Sequence, residues 1–573
     1  MASTTSNAGL TVSVSVAGLN KVVSLLDDAM SNDFSQMSVS TTANVGPGSL
    51  AEWGPDDCYM GNVGITLTNG GIQNAQLTAG TLTQDSNGQG LFTCSFLADT
   101  FNVNFPEWSE AYTIVQTGDR GPPIMHQISN SCGNYSMSTG VNVLTSFTIT
   151  GTSGGWEINN FTSNAAATNA NLLPLPSGSV LQNAPTGFCD QDNTIQNSTG
   201  SALASGMNFQ GSTSNALQNV LATIPASGTF ADTNITVDFS QTGSDLYFPT
   251  GNGGVQIGCA GNVYVAGNMV AVDTLSATPL PLAPPPAQND VTYNLSDYFM
   301  TGVAASFYQT GQLFHQITTN DAAINATSNI LTTPYYANTV PILSDNYPNC
   351  SFVVNVNTID QPTVTFSSCW EVTPASLTSL ANNGIPSNVI SDINSFGPIG
   401  YYTNYTMFYD ILQNAIGADN MINYWNDMEP AFSTLAATCI VPSSIDIVIN
   451  SYNNSTDISV LNFTADMSMV LNNFYLSAAT DNSNTLGALS FNVQTLQSSN
   501  INLVNTTLSA NINANDINFL WGSELQNAAT AVLDLFATAG APLPRVQNFS
   551  LSGNEAIELN VGYISLTTDF ILV

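Results

Sequence analysis

Alternation of apolar and polar residues with a period of two dominates the chain and predicts β-strands. The pattern is clear in GLTVSVSV at residues 9–16, GNVGITLTN at 61–69 and SSIDIVINSY at 443–452. Strand signals also run through residues 501–521 and through the closing segment 556–573. Gly, Asn, Pro or Ser bounds most of these runs, as turns require. The chain is therefore predicted to be built mainly from antiparallel strands.

Four segments instead repeat apolar residues at helical spacing and predict amphipathic helices. They span residues 18–30, 214–225, 295–311 and 523–540, with Ser296 as the expected N-cap of the third and Pro225 ending the second. The residues on their apolar faces are Leu19, Val22, Val23, Leu26, Met30, Leu217, Leu221, Ile224, Val303, Phe307, Leu525, Val532 and Phe536.

A proline-rich stretch, TPLPLAPPPAQND at residues 278–290, divides the pattern in two. Such a sequence favours extended polyproline II and acts as a semi-rigid spacer. Each side of it shows a helix near its start, long strands, a helix near its end and closing strands. Because 573 residues exceed the usual size of one core, we predict two similar modules, residues 1–277 and 291–573.

Charge narrows the classes of partner. The chain has three Lys and Arg residues against 39 Asp and Glu, and charged residues make up 7% of it. Binding to nucleic acid is not expected, because phosphate backbones are held by several cationic contacts. Electrostatic docking on anionic membranes is not expected for the same reason. A lipid partner would have to be held by apolar contact.

Catalytic and cofactor motifs are weak or missing. GTSGG at residues 151–155 fits a nucleophile motif formally, but it lies between two strand-like runs, and a nucleophile elbow needs strand, turn and helix. His126 and His315 belong to no recognisable constellation and are interpreted as structural. No metal-ligand spacing occurs. We expect no enzyme activity, no metal and no cofactor.

Cysteines and glycosylation acceptors favour an extracellular setting. Eight scattered cysteines without a CxxC pair suit disulfides in an oxidising compartment. The Asn-x-Ser/Thr acceptors are Asn134, Asn160, Asn197, Asn234, Asn294, Asn325, Asn349, Asn404, Asn453, Asn454, Asn462, Asn505 and Asn548. The most apolar helical run, residues 527–540, is short and carries Asp534, so no membrane-spanning helix is expected.

Four segments carry a resemblance to a known family. PLAPPPAQNDVTYNLSDYFMTGVAASFYQTGQL at residues 281–313 resembles the linker and second-domain start of the family of bactericidal/permeability-increasing protein, lipopolysaccharide-binding protein and the plasma phospholipid and cholesteryl ester transfer proteins. Residues 9–26, including Gly18 and Leu19, residues 126–146 and residues 535–564 resemble other parts of that family. A departure at about 371–440 has no evident counterpart, although the resemblance covers most of the chain.

The resemblance implies an α+β fold shaped like a boomerang. Each of two elongated modules would be a twisted antiparallel sheet wrapped on a long helix, with a central sheet joining them. Each module in that family holds a lipid in an apolar pocket between helix and sheet. The helix-face residues named above thus become candidate lipid contacts, with ordinary core packing as the alternative.

The resemblance also implies a disulfide between Cys132 and Cys189. For the remaining cysteines, Cys350 with Cys369 across a hairpin and Cys58 with Cys94 are expected pairs, and Cys259 with Cys439 is what remains.

Together these features predict a secreted, glycosylated protein that binds or transfers a lipid through acyl chains. The alternative is a self-assembling extracellular coat, foam or filament subunit on the same fold, which low charge density and the insertion also suit. Recognition of microbial lipid is a third option. The basic cluster that bactericidal relatives carry near Arg120 is absent, so a membrane-disrupting role is not expected.

Overall fold

The structure is a computed structural model that describes the following residues. They are 9–24, 26–46, 51–52, 58–85, 90–117, 122–152, 155–172, 174–183, 197–198, 201, 227–230, 233–240, 247–248, 253–272, 280, 289–320, 329–395, 401–402, 405–450, 456–478, 485–508, 512–530, 534–544, 549–551 and 555–572.

The strands pair antiparallel throughout these residues. They are β1 (Leu10–Val14), β2 (Ser38–Val45), β3 (Ala51–Glu52), β4 (Cys58–Met60), β5 (Val63–Gln73), β6 (Thr78–Ala79), β7 (Thr83–Gln84), β8 (Leu91–Phe105), β9 (Glu107–Gln116), β10 (Ile124–Ser131), β11 (Tyr135–Thr152), β12 (Gly155–Leu172), β13 (Ser227–Thr229), β14 (Ile235–Asp238), β15 (Val255–Cys259), β16 (Val263–Val265), β17 (Asn268–Met269), β18 (Val291–Ser296), β19 (Phe314–Ile317), β20 (Phe352–Thr358), β21 (Thr363–Glu371), β22 (Tyr401–Tyr402), β23 (Ser433–Ile449), β24 (Ile458–Ala478), β25 (Thr485–Thr506), β26 (Ala541–Pro544), β27 (Phe549–Leu551), β28 (Ala556–Asn560), β29 (Tyr563–Thr568) and β30 (Phe570–Leu572).

The described helices are short. They are α1 (Val16–Ser24), α2 (Leu26–Ser35), α3 (Asp297–Gln309), α4 (Pro341–Asn346), α5 (Pro374–Asn382), α6 (Ser387–Ser395), α7 (Tyr405–Ile416), α8 (Ala418–Phe432), α9 (Ala514–Trp521), α10 (Ser523–Ala529) and α11 (Asp534–Ala539).

Two large sheets occupy the two halves of the sequence. The eleven-stranded sheet has the order β12-β11-β8-β5-β9-β4-β3, with β2, β6, β7 and β10 paired at its sides. The eight-stranded sheet has the order β19-β20-β23-β24-β25-β26, with β21 paired to β23 and β22 paired to β21. Helices pack on each sheet: Phe34 of α2 meets Phe101 edge to face at 5.0 Å, and Thr301 of α3 donates to the carbonyl of Val364 in β21 at 3.0 Å.

A five-stranded central sheet joins the two halves. Its order is β15-β1-β18-β29-β28, so strands from the start, middle and end of the chain lie side by side. β1 pairs with β15 on one side and with β18 on the other, and all five of its residues are buried. Two buried side-chain hydrogen bonds reinforce the pairing: Asn294 donates to Thr11 at 3.0 Å and Gln256 to Ser13 at 2.6 Å. The predicted α+β class, with two antiparallel sheets joined by a central one, is confirmed.

The end of the proline-rich stretch is anchored to the first helix. Lys21 Nζ of α1 lies 2.5 Å from Oδ2 of Asp290, whose side chain is 4% exposed. A Cβ atom on Gly18 would meet the carbonyl oxygen of Asp290 at 2.5 Å, so α1 can approach this closely only with glycine there. Of residues 278–290 only 280, 289 and 290 are described, so the predicted module boundaries stay a prediction.

Sequence and structure differ in the helical segments. The helix predicted over 18–30 is two helices, α1 and α2, while the one over 295–311 is α3, with Ser296 as its N-cap, accepting from the amide of Phe299 at 3.1 Å. The segment predicted over 214–225 lies outside the described residues. The strand predicted through residue 521 is wrong: β25 ends at Thr506, and α9 follows after the capping box that Asn513 forms with Asp516.

The described residues of the insertion at about 371–440 form four helices, α5 to α8, and the short strand β22, between β21 and β23. Its apolar side chains form a hydrophobic cluster separate from the main core, with Leu380, Ile393, Phe408, Met421 and Met428 fully buried. Its last predicted residues, 433–440, already belong to β23.

Candidate functional site

The predicted lipid-contact residues mostly lie in the main core. Those whose side chains are described are at most 3% exposed and belong to one hydrophobic cluster, namely Leu19, Val22, Val23, Met30, Val303, Phe307 and Leu525. The others, with side chains outside the described part, are Leu26, Leu217, Leu221, Ile224, Val532 and Phe536. The core-packing alternative accounts for the described members, and their contact with lipid remains a prediction.

A partly open apolar pocket lies elsewhere, where β23 and β24 of the second sheet approach β28 of the central sheet. Its volume is about 240 Å³, and its lining is Leu435, Ala436, Val470, Leu471, Asn472, Asn473, Phe474, Ile557 and Leu559. None of the predicted lipid contacts is in this lining. Sequence reasoning missed the pocket because its walls come from three segments far apart in the chain.

An irregularity in β24 shapes this pocket. The pairing of β24 with β25 shifts register at four places, and the last shift, between Asn472 and Tyr475, leaves Asn473 and Phe474 outside the ladder. Asn473 takes a left-handed conformation with φ 47°, as asparagine tolerates better than most residues. The bulge turns the strand, and the ring of Phe474 lies 5.7 Å from that of Phe491.

The chemistry of the pocket favours hydrocarbon. Six of its nine lining residues are Leu, Ile, Val or Phe, and the polar ones are two neutral amides. No Lys, Arg or His is in the lining. At about 240 Å³ it lies just under the ~300–1,000 Å³ typical of small-molecule sites, so it suits part of one acyl chain.

Aromatic rings gather beside the pocket, where the helical insertion meets the second sheet. Trp370 of β21 lies opposite Ser433 of β23, two residues from Leu435 and on the same strand face. Its ring lies 5.1 Å from that of Tyr405, and Trp425 lies 5.8 Å from Tyr405 and 5.0 Å from Tyr409. We call Trp370, Tyr405, Tyr409 and Trp425 the aromatic patch.

The predicted disulfides are wrong in this structure. Six cysteines carry free thiols: Cys94, Cys132, Cys259, Cys350, Cys369 and Cys439. Cys350 precedes β20, which begins opposite Ile449, whereas Cys369 lies opposite Thr434, at a strand separation of roughly 50 Å. A disulfide needs Cα atoms within about 7 Å.

Strand positions also separate two of the other three pairs. Cys58 and Cys94 lie on β4 and β8, with β5 and β9 between them. Cys259 is in the central sheet, and Cys439 is in the second sheet. Cys132 accepts a hydrogen bond from Asn130 at 3.2 Å, and its implied partner Cys189 lies outside the described residues.

Burial makes these thiols weak acids. It raises the pKa of Cys94 to about 11 and those of Cys259 and Cys439 to about 12. For Cys369 the pKa also rises to about 12, again first through burial. A high pKa keeps the thiol protonated and unreactive, as expected of structural rather than catalytic cysteines.

The predicted glycosylation acceptors fall into three groups. Asn134, Asn160, Asn197, Asn234, Asn349 and Asn505 are exposed, and Asn462 is half-buried in β24. Asn294 is 3% exposed inside the central sheet, where its amide is bonded to Thr11, so glycosylation there is excluded in the folded protein. The rest, outside the described part, are Asn325, Asn404, Asn453, Asn454 and Asn548.

Among the described residues, the structure does not bring the catalytic candidates together into one site. β11 and β12 pair as a hairpin on either side of the GTSGG motif, with Thr152 opposite Gly155, as predicted, and residues 153–154 lie outside the described residues. His126 is exposed on β10 of the eleven-stranded sheet, and His315 is half-buried on β19 of the eight-stranded sheet. Within the described residues, no cluster of three or more His, Cys, Asp or Glu is placed to hold a metal ion. None of the described helices combines the length and the apolar character needed to cross a bilayer.

Comparison with known proteins gives one match by sequence and several by structure. Residues 250–383 match the model of the LBP / BPI / CETP family, C-terminal domain. No curated protein matches the sequence. The crystal structure of lipopolysaccharide binding protein superposes with a TM-score of 0.49 at 13% identity over 99% of both chains. The structure of P47 from Clostridium botulinum A2 gives a TM-score of 0.25 at 7% identity, over 99% of this chain and 98% of that one.

Proposed function

We propose that the chain is an extracellular protein that binds, and passes on, a lipid held by its acyl chain, and the match of residues 250–383 to the C-terminal domain model of the LBP / BPI / CETP family supports this. The observation that carries this proposal is the apolar pocket between β23, β24 and β28. It lies partly open at the junction of the second sheet and the central sheet, with Leu471 of the main core forming part of its wall.

Apolar burial supplies the affinity in this proposal. Each methylene moved from water into the pocket contributes about 0.8 kcal/mol, so six to eight methylenes give roughly 5–6 kcal/mol before ordering costs. The lipid headgroup meets amides rather than cations, because Asn472 and Asn473 are the polar lining residues and Lys21 is paired with Asp290. The lipid is accordingly neutral or zwitterionic, since an anionic headgroup would find no counter-charge there.

Lipid extraction from purified protein, read by native mass spectrometry, tests this proposal. We expect Leu435→Glu or Ile557→Glu to reduce lipid retention at least tenfold, because each places a carboxylate in the apolar lining. Leu503→Glu is the matched control: Leu503 is 42% exposed on β25 of the same sheet, Leu435 is 38% exposed, and Leu503 is outside the pocket. Equal retention by all three folded variants would refute the pocket as the lipid site.

The extracellular setting is part of the proposal, and the exposed acceptors support it. Six Asn-x-Ser/Thr sites have exposed asparagine side chains, as glycan transfer requires. Expression through a secretory pathway, followed by enzymatic removal of N-glycans, should lower the mass by several glycans and leave Asn294 unmodified. An unchanged mass would place the protein in a compartment without N-glycosylation.

A second candidate function, self-assembly, is favoured by β10. This strand pairs with β9 along its whole length, and no described strand pairs with its other edge. Ile124 is 57% and Met125 69% exposed, and the strand carries no Lys, Glu, Asp or Pro to protect the edge. Sedimentation would reveal it: concentration-dependent association that Met125→Lys abolishes supports assembly, and a monomer at all concentrations supports the carrier.

A further inference from the structure

The aromatic rings of the insertion region fall into a fully buried group and a partly exposed group, and packing of the insertion core requires only the buried group. Phe408 and Phe432 are 0% and 1% exposed, and they fill the interior of the helical insertion. Tyr405 is 39% exposed, while Trp370, Tyr409 and Trp425 are half-buried around it. Four large rings thus present part of their surface to solvent at one place.

The charge around the aromatic patch has one sign. Residues 371–432 contain six carboxylates, at Glu371, Asp392, Asp410, Asp419, Asp427 and Glu429, and no Lys, Arg or His. Glu429 lies four residues after Trp425 on α8, and such a spacing puts two side chains on the same face of a helix. Glu429 and Trp425, both half-buried, therefore lie on the same face of α8.

We propose that the aromatic patch binds a quaternary ammonium group, such as the choline of a zwitterionic lipid headgroup. The faces of Trp and Tyr rings carry partial negative charge and attract cations, and clustered rings are suited to methylated ammonium, which is only weakly hydrated. The carboxylate of Glu429 adds attraction for a cation, and no basic residue of the insertion competes for it.

The position of the patch connects it to the apolar pocket, and this step rests on the proposed function. Trp370 of the patch pairs with Ser433, and Leu435 of the pocket lies two residues further along the same strand face. Such diagonal positions are about 7–8 Å apart, a distance that a phospholipid headgroup spans. One lipid can thus place its tail beside Leu435 and Leu471, which share this face, and its ammonium on the rings of the patch.

Calorimetric titration with choline chloride tests the ammonium site without any lipid tail. The neutral control ligand is 3,3-dimethylbutan-1-ol, which has the same shape as choline and no charge. We expect choline to bind at least fivefold more tightly than the alcohol, with quenching of tryptophan fluorescence. Equal binding of the two, or no binding of choline up to tens of millimolar, overturns the proposal.

Three variants locate the site. Tyr405→Leu removes the most exposed ring and is expected to weaken choline binding about threefold to fivefold. Tyr405→Phe keeps the ring and should retain binding. Tyr335→Leu is the matched control, because Tyr335 is 52% exposed, stacks edge-on with Tyr336 and lies outside the insertion. Equal losses in the Tyr405→Leu and Tyr335→Leu variants would contradict the assignment.

A variant that conserves volume guards against misfolding. Glu429→Gln removes charge only, so it should weaken choline binding and leave the binding of the neutral alcohol unchanged. A Glu429→Gln protein that binds choline as tightly as the unchanged chain, together with a folded Tyr405→Leu protein that does so, refutes the site.

Monomeric dodecylphosphocholine separates the two sources of an ammonium group. If a lipid is the ligand, dodecylphosphocholine should bind at least tenfold more tightly than choline. Leu435→Glu should remove this gain in affinity and leave choline binding intact. If the gain is missing while choline still prefers the patch, the ligand is a soluble ammonium compound and the proposed lipid function fails separately. Loss of the choline preference alone leaves the lipid pocket standing.

Discussion

The main core and the core of the helical insertion differ in how they are assembled from the sequence. The main cluster includes residues from Leu10 to Leu566 and draws on both halves of the chain. The insertion cluster draws only on residues between Val372 and Phe432. Cores made of distant segments form and break as a unit, whereas a core made of neighbouring segments can open alone. We therefore expect one cooperative body that carries a separately opening helical unit.

One ring contact shows how the main core joins the halves. Phe307 of α3, in the second half, meets Phe230 of the first half edge to face, with ring centroids 5.6 Å apart at 89°. Both rings are at most 5% exposed. No ring pair described here links the insertion core to the first half in this way. The contact between Phe307 and Phe230 is thus a direct place to test whether the halves unfold together.

Phe307→Ala should have the largest effect. The loss of a fully buried ring and the cavity it leaves should lower the free energy of unfolding by about 3–5 kcal/mol. Urea unfolding followed by tryptophan fluorescence and by circular dichroism should shift as a single transition. Phe519→Ala, at a 58% exposed position on α9, is the control and should change stability by less than about 1 kcal/mol. Two separated transitions in the Phe307→Ala protein would show that the halves are independent.

Phe408→Ala also removes a buried ring, but the loss of stability should be confined to the helical insertion. Phe408 is fully buried in the insertion core, so we expect a loss of about 3 kcal/mol that is confined to the helical unit. Hydrogen exchange should accelerate in residues 374–432 and stay unchanged in β1 and β18. Ile422→Ala, at a 78% exposed position on α8, controls for truncation on the same unit. Faster exchange in the central sheet would break the distinction between the two cores.

Thr373→Ala should have the smallest effect of the three. Thr373 caps α5: its hydroxyl accepts from the amide of Ser376 at 3.0 Å, and the hydroxyl of Ser376 accepts from the amide of Thr373 at 2.7 Å. Loss of such a cap costs about 1 kcal/mol. Thr378→Ala is matched, because Thr378 is exposed on the same helix and bonds only to the carbonyl of Pro374. Exchange in α5 should rise in the first variant and not in the second.

The sequence predicted a strand or helix correctly where the residues of that one segment determine its structure. β1 and α3 follow directly from alternation and from the N-cap residue Ser296. The strand predicted through residue 521 failed because Asn513 and Asp516 were not recognised as a capping box, a signal that is legible three residues apart. The helical insertion was recognised only as a departure, although Phe408 and Leu412 already show helical spacing.

Features that depend on how distant strands align could not be predicted. Cys350 and Cys369 are close in sequence, but the register of β20 and β21 on β23 puts them at opposite ends of that strand. The pocket brings together residues near 435, 470 and 557, and no periodicity connects them. Buried faces of helices were identified correctly, but a buried face does not reveal whether the neighbour is protein or lipid.

The place of β1 between two later strands sets an order of events during synthesis. Residues 10–14 find their partners only when residues 255–259 and 291–296 have been made. At about 5–20 residues per second, roughly 12–50 seconds pass before the first of these partners has been synthesised. During this time β1, whose five residues are all buried in the folded protein, has both edges unpaired, and we expect chaperones to bind it. The joint between the halves is consequently completed last, when β29 reaches β18.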